Sequence, residues 1–143
     1  MLRKIDDHFS VAPQISAREV IEAAHAGFAA IINNRPDGEE PGQPTGAEIA
    51  AAAGTAGITY RAIPVTHSGF SSNQVEAMAQ ALAASAGPVL AYCRSGTRSV
   101  HIWALARARM GDDPTTLTAK AQAAGYDISG IRAMLDTLAA SHQ

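Results

Sequence analysis

Apolar runs of strand length alternate along this chain with longer amphipathic stretches, and most boundaries carry their own punctuation. Residues 28–32 (Phe-Ala-Ala-Ile-Ile), 58–65 (Ile-Thr-Tyr-Arg-Ala-Ile-Pro-Val) and 89–92 (Val-Leu-Ala-Tyr) predict strands. Pro64 marks the second as one that ends there or lies at a sheet edge, because proline cannot donate to a ladder. Between them, Ser16-Ala-Arg-Glu19 forms a capping box, with Ile15 and Val20 as a hydrophobic staple and Gly27 as the stop, predicting a helix over 17–26. Thr45-Gly-Ala-Glu48 opens a second helix that closes near Gly57. Ser71-Ser-Asn-Gln74 opens a third, whose Val75, Met78, Ala79, Leu82 and Ala83 share one face before Gly87-Pro88 ends it. Further helices are predicted at 99–110, at 114–124 (Asp113 as cap, Pro114 in the first position) and at 129–140.

Strands alternating with helices of this length pair in parallel through right-handed crossovers. The expected fold class is therefore α/β: one three-layer α/β/α domain over residues 1–143, around a mainly parallel sheet of four or five strands. The 143 residues suffice for such a core, and 47% hydrophobic with 17% charged residues excludes a disordered or collagen-like chain. A net charge of −2 without a Lys/Arg cluster argues against nucleic-acid or membrane-surface partners, since phosphate backbones and anionic lipids demand a concentrated basic face. Asp6 and Asp7 fall where a secretory signal needs its apolar stretch, and no run reaches the roughly 18 apolar residues of a membrane span, so a cytoplasmic location is expected. The single cysteine, Cys93, excludes an internal disulfide and a multi-cysteine zinc site. No nucleotide glycine motif and no histidine ligand spacing is present, so neither a metal nor another cofactor is expected.

Chemistry concentrates where the last predicted strand meets the next helix: Tyr92-Cys93-Arg94-Ser95-Gly96-Thr97-Arg98-Ser99. Ligands of open parallel sheets bind at the carboxyl ends of the strands. A thiol placed there, facing a helix N-terminus, sits in positive potential that favours the thiolate nucleophile. The backbone amides from Arg94 to Arg98 can converge on an anion, Gly96 permits the turn, and Arg98 offers a planar fork of donors. Cys93 and Arg98 are thus the candidate catalytic pair, with Arg94, Ser95, Gly96, Thr97 and Ser99 completing an anion-binding loop. Ser99 has two readings, assistance to the thiolate or a plain helix cap. The 33–44 loop is longer than an ordinary connection and follows a strand at the same sheet end. Its Asn34, Arg35 and Asp37, with His67 from the next such loop, are candidate cleft residues. The alternative for the long loop is a purely structural one, held by Asx-type hydrogen bonds and an Arg35–Asp37 pair.

The Cys-Arg-Ser-Gly-Thr-Arg segment resembles the active-site loop of rhodanese sulfurtransferases and is similar to the Cys-x5-Arg loop of cysteine-dependent protein phosphatases. More of the chain, over 9–105, resembles the phosphatase-like domain of the beta-lactamase-hydrolase-like proteins. That resemblance rests on Ile31-Ile-Asn-Asn-Arg-Pro-Asp-Gly-Glu39, Gln43-Pro44, Ile63-Pro-Val65 and residues 87–99 taken together. It implies a dual-specificity-phosphatase-like fold, and relatives that are labelled phosphatases or sulfur transferases, some occurring with persulfide dioxygenases.

Two details lean toward sulfur chemistry. Four residues separate Cys93 from Arg98, one fewer than in the phosphatase loop, which tightens the ring of donors. Expelling a phenol of pKa about 10 calls for a general acid, yet the 64–72 loop holds no carboxylate, leaving His67 or Asp37 for that part. Attack on the outer sulfur of thiosulfate releases sulfite, which needs no proton. The leading expectation is therefore transfer of sulfane sulfur from thiosulfate or a small persulfide, through a Cys93 persulfide, to a thiol or cyanide. The alternatives are a phosphatase working through a Cys93 phosphocysteine and a silent anion-binding module docked on a redox or sulfur enzyme. In each case the partner is a small sulfur or phosphate anion, with a persulfide dioxygenase as the protein partner the resemblance implies.

Overall fold

A computed structural model describes residues 2–142. The chain runs β1 (Arg3–Asp6), β2 (Phe9–Ala12), α1 (Ala17–His25), β3 (Ala30–Asn33), α2 (Gly46–Ala56), β4 (Thr59–Ala62), α3 (Ser72–Ala84), β5 (Val89–Tyr92), α4 (Thr97–Arg109), α5 (Pro114–Ala123), a 3₁₀ turn (Ser129–Ile131) and α6 (Arg132–Ser141). Five strands form one sheet in the order β1-β2-β5-β3-β4. The four from β2 onward are mutually parallel, and β1 closes one edge as the antiparallel arm of a hairpin. This is a three-layer α/β fold, as the alternation predicts.

Period-2 geometry divides the strands between two cores. Ile31, Leu90 and Tyr92 point to the side covered by α1 and α2, where they meet Val20, Ile49 and Ala53. Ile32, Val89 and Ala91 point to the other side, against Met78 of α3, Val100 and Trp103 of α4, Leu117 of α5 and Leu135 of α6. Trp103 is 1% exposed and stacks on Phe9 with ring centroids 5.5 Å apart. It is core, deep in the helix that follows the cysteine loop.

Local signals act as predicted at most boundaries. The Ser16–Glu19 and Ser71–Gln74 capping boxes both form, and Gly57 ends α2 at φ +76. β4 is an edge strand that stops at Ala62, two residues before Pro64. Three readings need correction. The pattern predicts its first strand at Phe28, whereas the β1–β2 hairpin precedes it; Ile5 and Phe9 are buried there, but the intervening Asp6, Asp7 and His8 hide the strand signal. β3 starts at Ala30, two residues late: the Phe28 amide still bonds back to the Ala23 carbonyl in the turn out of α1, and Ala29 makes only the lead-in bonds to Pro88 and Thr59. Finally, Ser129–Ile131 is a 3₁₀ turn rather than the first turn of α6. Among the described residues no helix is long and apolar enough to cross a membrane.

Candidate active site

Four parallel strands deliver four loops to one end of the sheet: 13–16 after β2, 34–45 after β3, 63–71 after β4 and 93–96 after β5. Cys93 is the first residue past β5, the middle strand. Its residue surface is 0% exposed, and its sulfur accepts a hydrogen bond from the Gly96 amide at 3.1 Å. Gly96 is the N-cap of α4 at φ +91, a conformation that disfavours side chains. It supplies no side-chain acceptor, so the first-turn amides of α4 are left without the usual cap. Ser99 lies inside that first turn. It is not the cap, and its Oγ donates instead to Asn34 Oδ1 at 2.8 Å.

Arg98 is brought to the sulfur by the same turn. Its Nη1 and Nη2 donate to the two carboxylate oxygens of Glu39 at 2.7 and 2.8 Å, and Nη1 also reaches the Val65 carbonyl at 2.7 Å. This bidentate pair holds Glu39 far below the ordinary carboxylate range, at about 2, with Arg98 the main cause and Arg35 adding to it against the opposing effect of burial. Reciprocally, the guanidinium of Arg98 is pushed up, first by Glu39 and also by the adjoining Cys93, while burial opposes. Arg35, with a side chain 3% exposed, binds Glu39 through Nε at 2.9 Å, Glu40 at 2.6 Å and Gln14 at 3.1 Å. Arg94, 62% exposed, sits 3.3 Å from Glu40. Three arginines therefore face two glutamates around the loop.

The predicted cleft residues part company. Asn34 is fully buried scaffold: it accepts from Ser99, donates to the Ile63 carbonyl at 3.0 Å, and ties β3, the 63–71 loop and α4 together. Asn33 makes the expected Asx bond to the Arg35 amide at 2.9 Å. The expected Arg35–Asp37 pair is absent. Arg35 takes Glu39 and Glu40, while Asp37 accepts from the Gly46 amide at 2.8 Å at the start of α2. His67 is exposed on the 63–71 loop. Ser95 and Thr97 are exposed on the cysteine loop and bonded to each other at 3.1 Å. Glu39 is the residue sequence reasoning missed. The signal was available as charge complementarity, two adjacent glutamates in a loop that shares its sheet end with Arg94 and Arg98. Cavity size does not mark the site either, since the roughly 660 Å³ groove between α3 and α6 contains no residue of 93–99.

A thiol at the carboxyl end of a central parallel strand, a glycine-turned loop onto a helix N-terminus and an arginine beside the sulfur define a phosphatase-like, cysteine-type domain. The chain belongs to the family described as beta-lactamase hydrolase-like protein, phosphatase-like domain, whose model matches residues 1–110. It is 38% identical over 108 residues to the beta-lactamase hydrolase-like protein of Agrobacterium fabrum, covering 76% of this chain but only 25% of that protein. The chain thus spans about a quarter of the length of that relative. The crystal structure of a candidate phosphatase from Neisseria meningitidis matches at TM-score 0.80 and 36% identity, covering 95% of this chain and 96% of that one. At 17% identity, P. aeruginosa TpbA in complex with pTyr shares the fold at TM-score 0.66, over 99% of this chain and 89% of that one.

Proposed function

We propose that this domain is a cysteine-dependent phosphomonoesterase, with Cys93 as nucleophile and Arg98, aided by the α4 amides, as the oxyanion binder. The observation that carries the reading is the Glu39 carboxylate seated on both terminal nitrogens of Arg98, beside a sulfur that accepts the Gly96 amide. A carboxylate held on both nitrogens of this buried fork supports the reading that it binds a substrate oxyanion in the same bidentate way. A phosphate ester entering the loop displaces Glu39. The Cys93 thiolate then forms an S–P bond as the P–O bond to the leaving group breaks, the departing oxygen keeping the electron pair and taking a proton from water. Water cleaves the phosphocysteine, returning phosphate and the thiolate.

Family membership and the Neisseria meningitidis neighbour support phosphoryl rather than sulfur transfer as the first reading, reversing the order that the short loop and the missing carboxylate of the 64–72 loop suggest. Glu39 is ionised near neutrality, Asp37 is engaged by the Gly46 amide and His67 is exposed. Good leaving groups are therefore favoured, and rates on aryl phosphates should fall steeply as the pKa of the departing phenol rises.

The test combines turnover with intact mass. Wild-type protein should release phosphate from 4-nitrophenyl phosphate and, after acid quench, carry one phosphoryl group. Cys93→Ser should lose turnover by about three orders of magnitude or more, together with the adduct. Uptake of one sulfur from thiosulfate at Cys93 with no phosphate release would overturn the proposal in favour of sulfur transfer.

A further inference from the structure

Tyr126 lies beyond the 1–110 segment matched by the family model, yet it reaches the cysteine loop. Its phenol oxygen lies 3.3 Å from the Ser95 carbonyl, and a Cβ built on Gly96 would stand 2.6 Å from that same oxygen. The phenol therefore donates a long hydrogen bond to one atom of the Ser95–Gly96 peptide and packs directly against the other residue.

The other end of this peptide is the Gly96 N–H, which donates to Cys93 Sγ at 3.1 Å. In a planar trans peptide the C=O and N–H point in opposite directions. An oxygen held outward by Tyr126 thus keeps the N–H turned inward onto the sulfur. Glycine at φ +91 makes this peptide the easiest in the loop to rotate, because the residue after it has no Cβ to resist. An external anchor matters most at such a place.

The anchor is itself braced. Gly125 (φ +94) gives α5 a Schellman end: the Tyr126 amide donates to Ala121 and the Gly125 amide to Gln122, both at 2.9 Å. Arg3 of the edge strand donates to the Ala124 carbonyl at 2.9 Å and stacks over the Tyr126 ring, 5.7 Å from its centroid. We infer that Tyr126 is a positioning residue for the nucleophile, setting through the Ser95–Gly96 peptide the hydrogen bond that stabilises the Cys93 thiolate. This rests on Cys93 being the reactive group, but not on which group is transferred.

The test is Tyr126→Phe, which keeps the ring, its packing on Gly96 and the Arg3 stack. Cys93 is the sole cysteine, so the ultraviolet absorbance of the thiolate, corrected with Cys93→Ser, follows its titration without any substrate. Loss of the anchored bond should move that profile to higher pH, lowering the thiolate fraction on its rising limb about three- to tenfold. The Gly96 amide proton resonance should shift as well, while the thermal midpoint stays within about 2 °C of wild type. Superimposable profiles and an unmoved Gly96 resonance would overturn the inference and leave Tyr126 as packing. Because neither readout uses a phosphate ester, failure here is distinguishable from failure of the phosphatase proposal.

Discussion

At the scale of single residues, the site is governed by one carboxylate. Glu39 neutralises Arg98, and in the proposed mechanism a substrate oxyanion replaces it. Glu39→Gln should therefore lower KM for aryl phosphates and the inhibition constant of inorganic phosphate by about three- to tenfold, a change steady-state kinetics will resolve. A fall in kcat with unchanged KM would show instead that Glu39 serves to orient the guanidinium. The same pair makes stability depend on acid. A carboxyl held at about 2 when folded and near its ordinary 4.5 when unfolded adds stability that is complete above about pH 4.5 and lost as pH falls toward 2. The difference corresponds to about 3 kcal/mol. Thermal unfolding across that window should show wild type losing more stability than Glu39→Gln, whose side chain does not titrate. Asn34 and Ser99 act differently. Asn34→Ala removes the partner of a fully buried hydroxyl and leaves the Ile63 carbonyl without its donor, so a loss of about 2–3 kcal/mol in denaturant unfolding is expected.

At the scale of elements, the chain's punctuation is legible because it is local. Capping boxes, glycine stops and the Asp113-Pro114 start each act within four residues, and the structure places the corresponding helices within a residue or two of their predicted ends. Ser71→Ala should cost about 1 kcal/mol by chemical denaturation. It also loosens the first turn that carries Gln74, by removing the acceptor of its backbone amide, and Gln74 Nε2 donates to the Pro64 carbonyl at 2.9 Å and thereby braces the 63–71 loop. Ser16→Ala, at the matching cap far from that loop, should cost a similar amount without altering kinetics. The β1–β2 hairpin was not legible. A polar edge strand of four residues carries little periodicity, and its pairing with β2 includes a register shift between Lys4 and Asp6.

At the scale of the molecule, four loops from separate crossovers meet at one sheet end. An anion that binds only this assembled site should stabilise the fold by mass action. Inorganic phosphate at about 100 times its Kd contributes about 2.7 kcal/mol, a rise of several degrees in Tm by scanning calorimetry, and Arg98→Met should abolish it. What the sequence by itself determined is the α/β class, most helix boundaries and the Cys93–Arg98 loop, since each is written in contiguous residues whose spacing dictates its own geometry. The resemblance carried by those blocks also pointed to the family. Only the tertiary structure decided which charges meet: Glu39 comes to Arg98 from 59 residues away, Asn34 to Ser99 from 65, and the Tyr126 hydroxyl to Ser95 from 31. Such pairings depend on which strands lie side by side and where a helix ends. Nothing in the spacing of residues along the chain encodes that; it arises when the two cores close on the sheet and bring distant loops to the same edge.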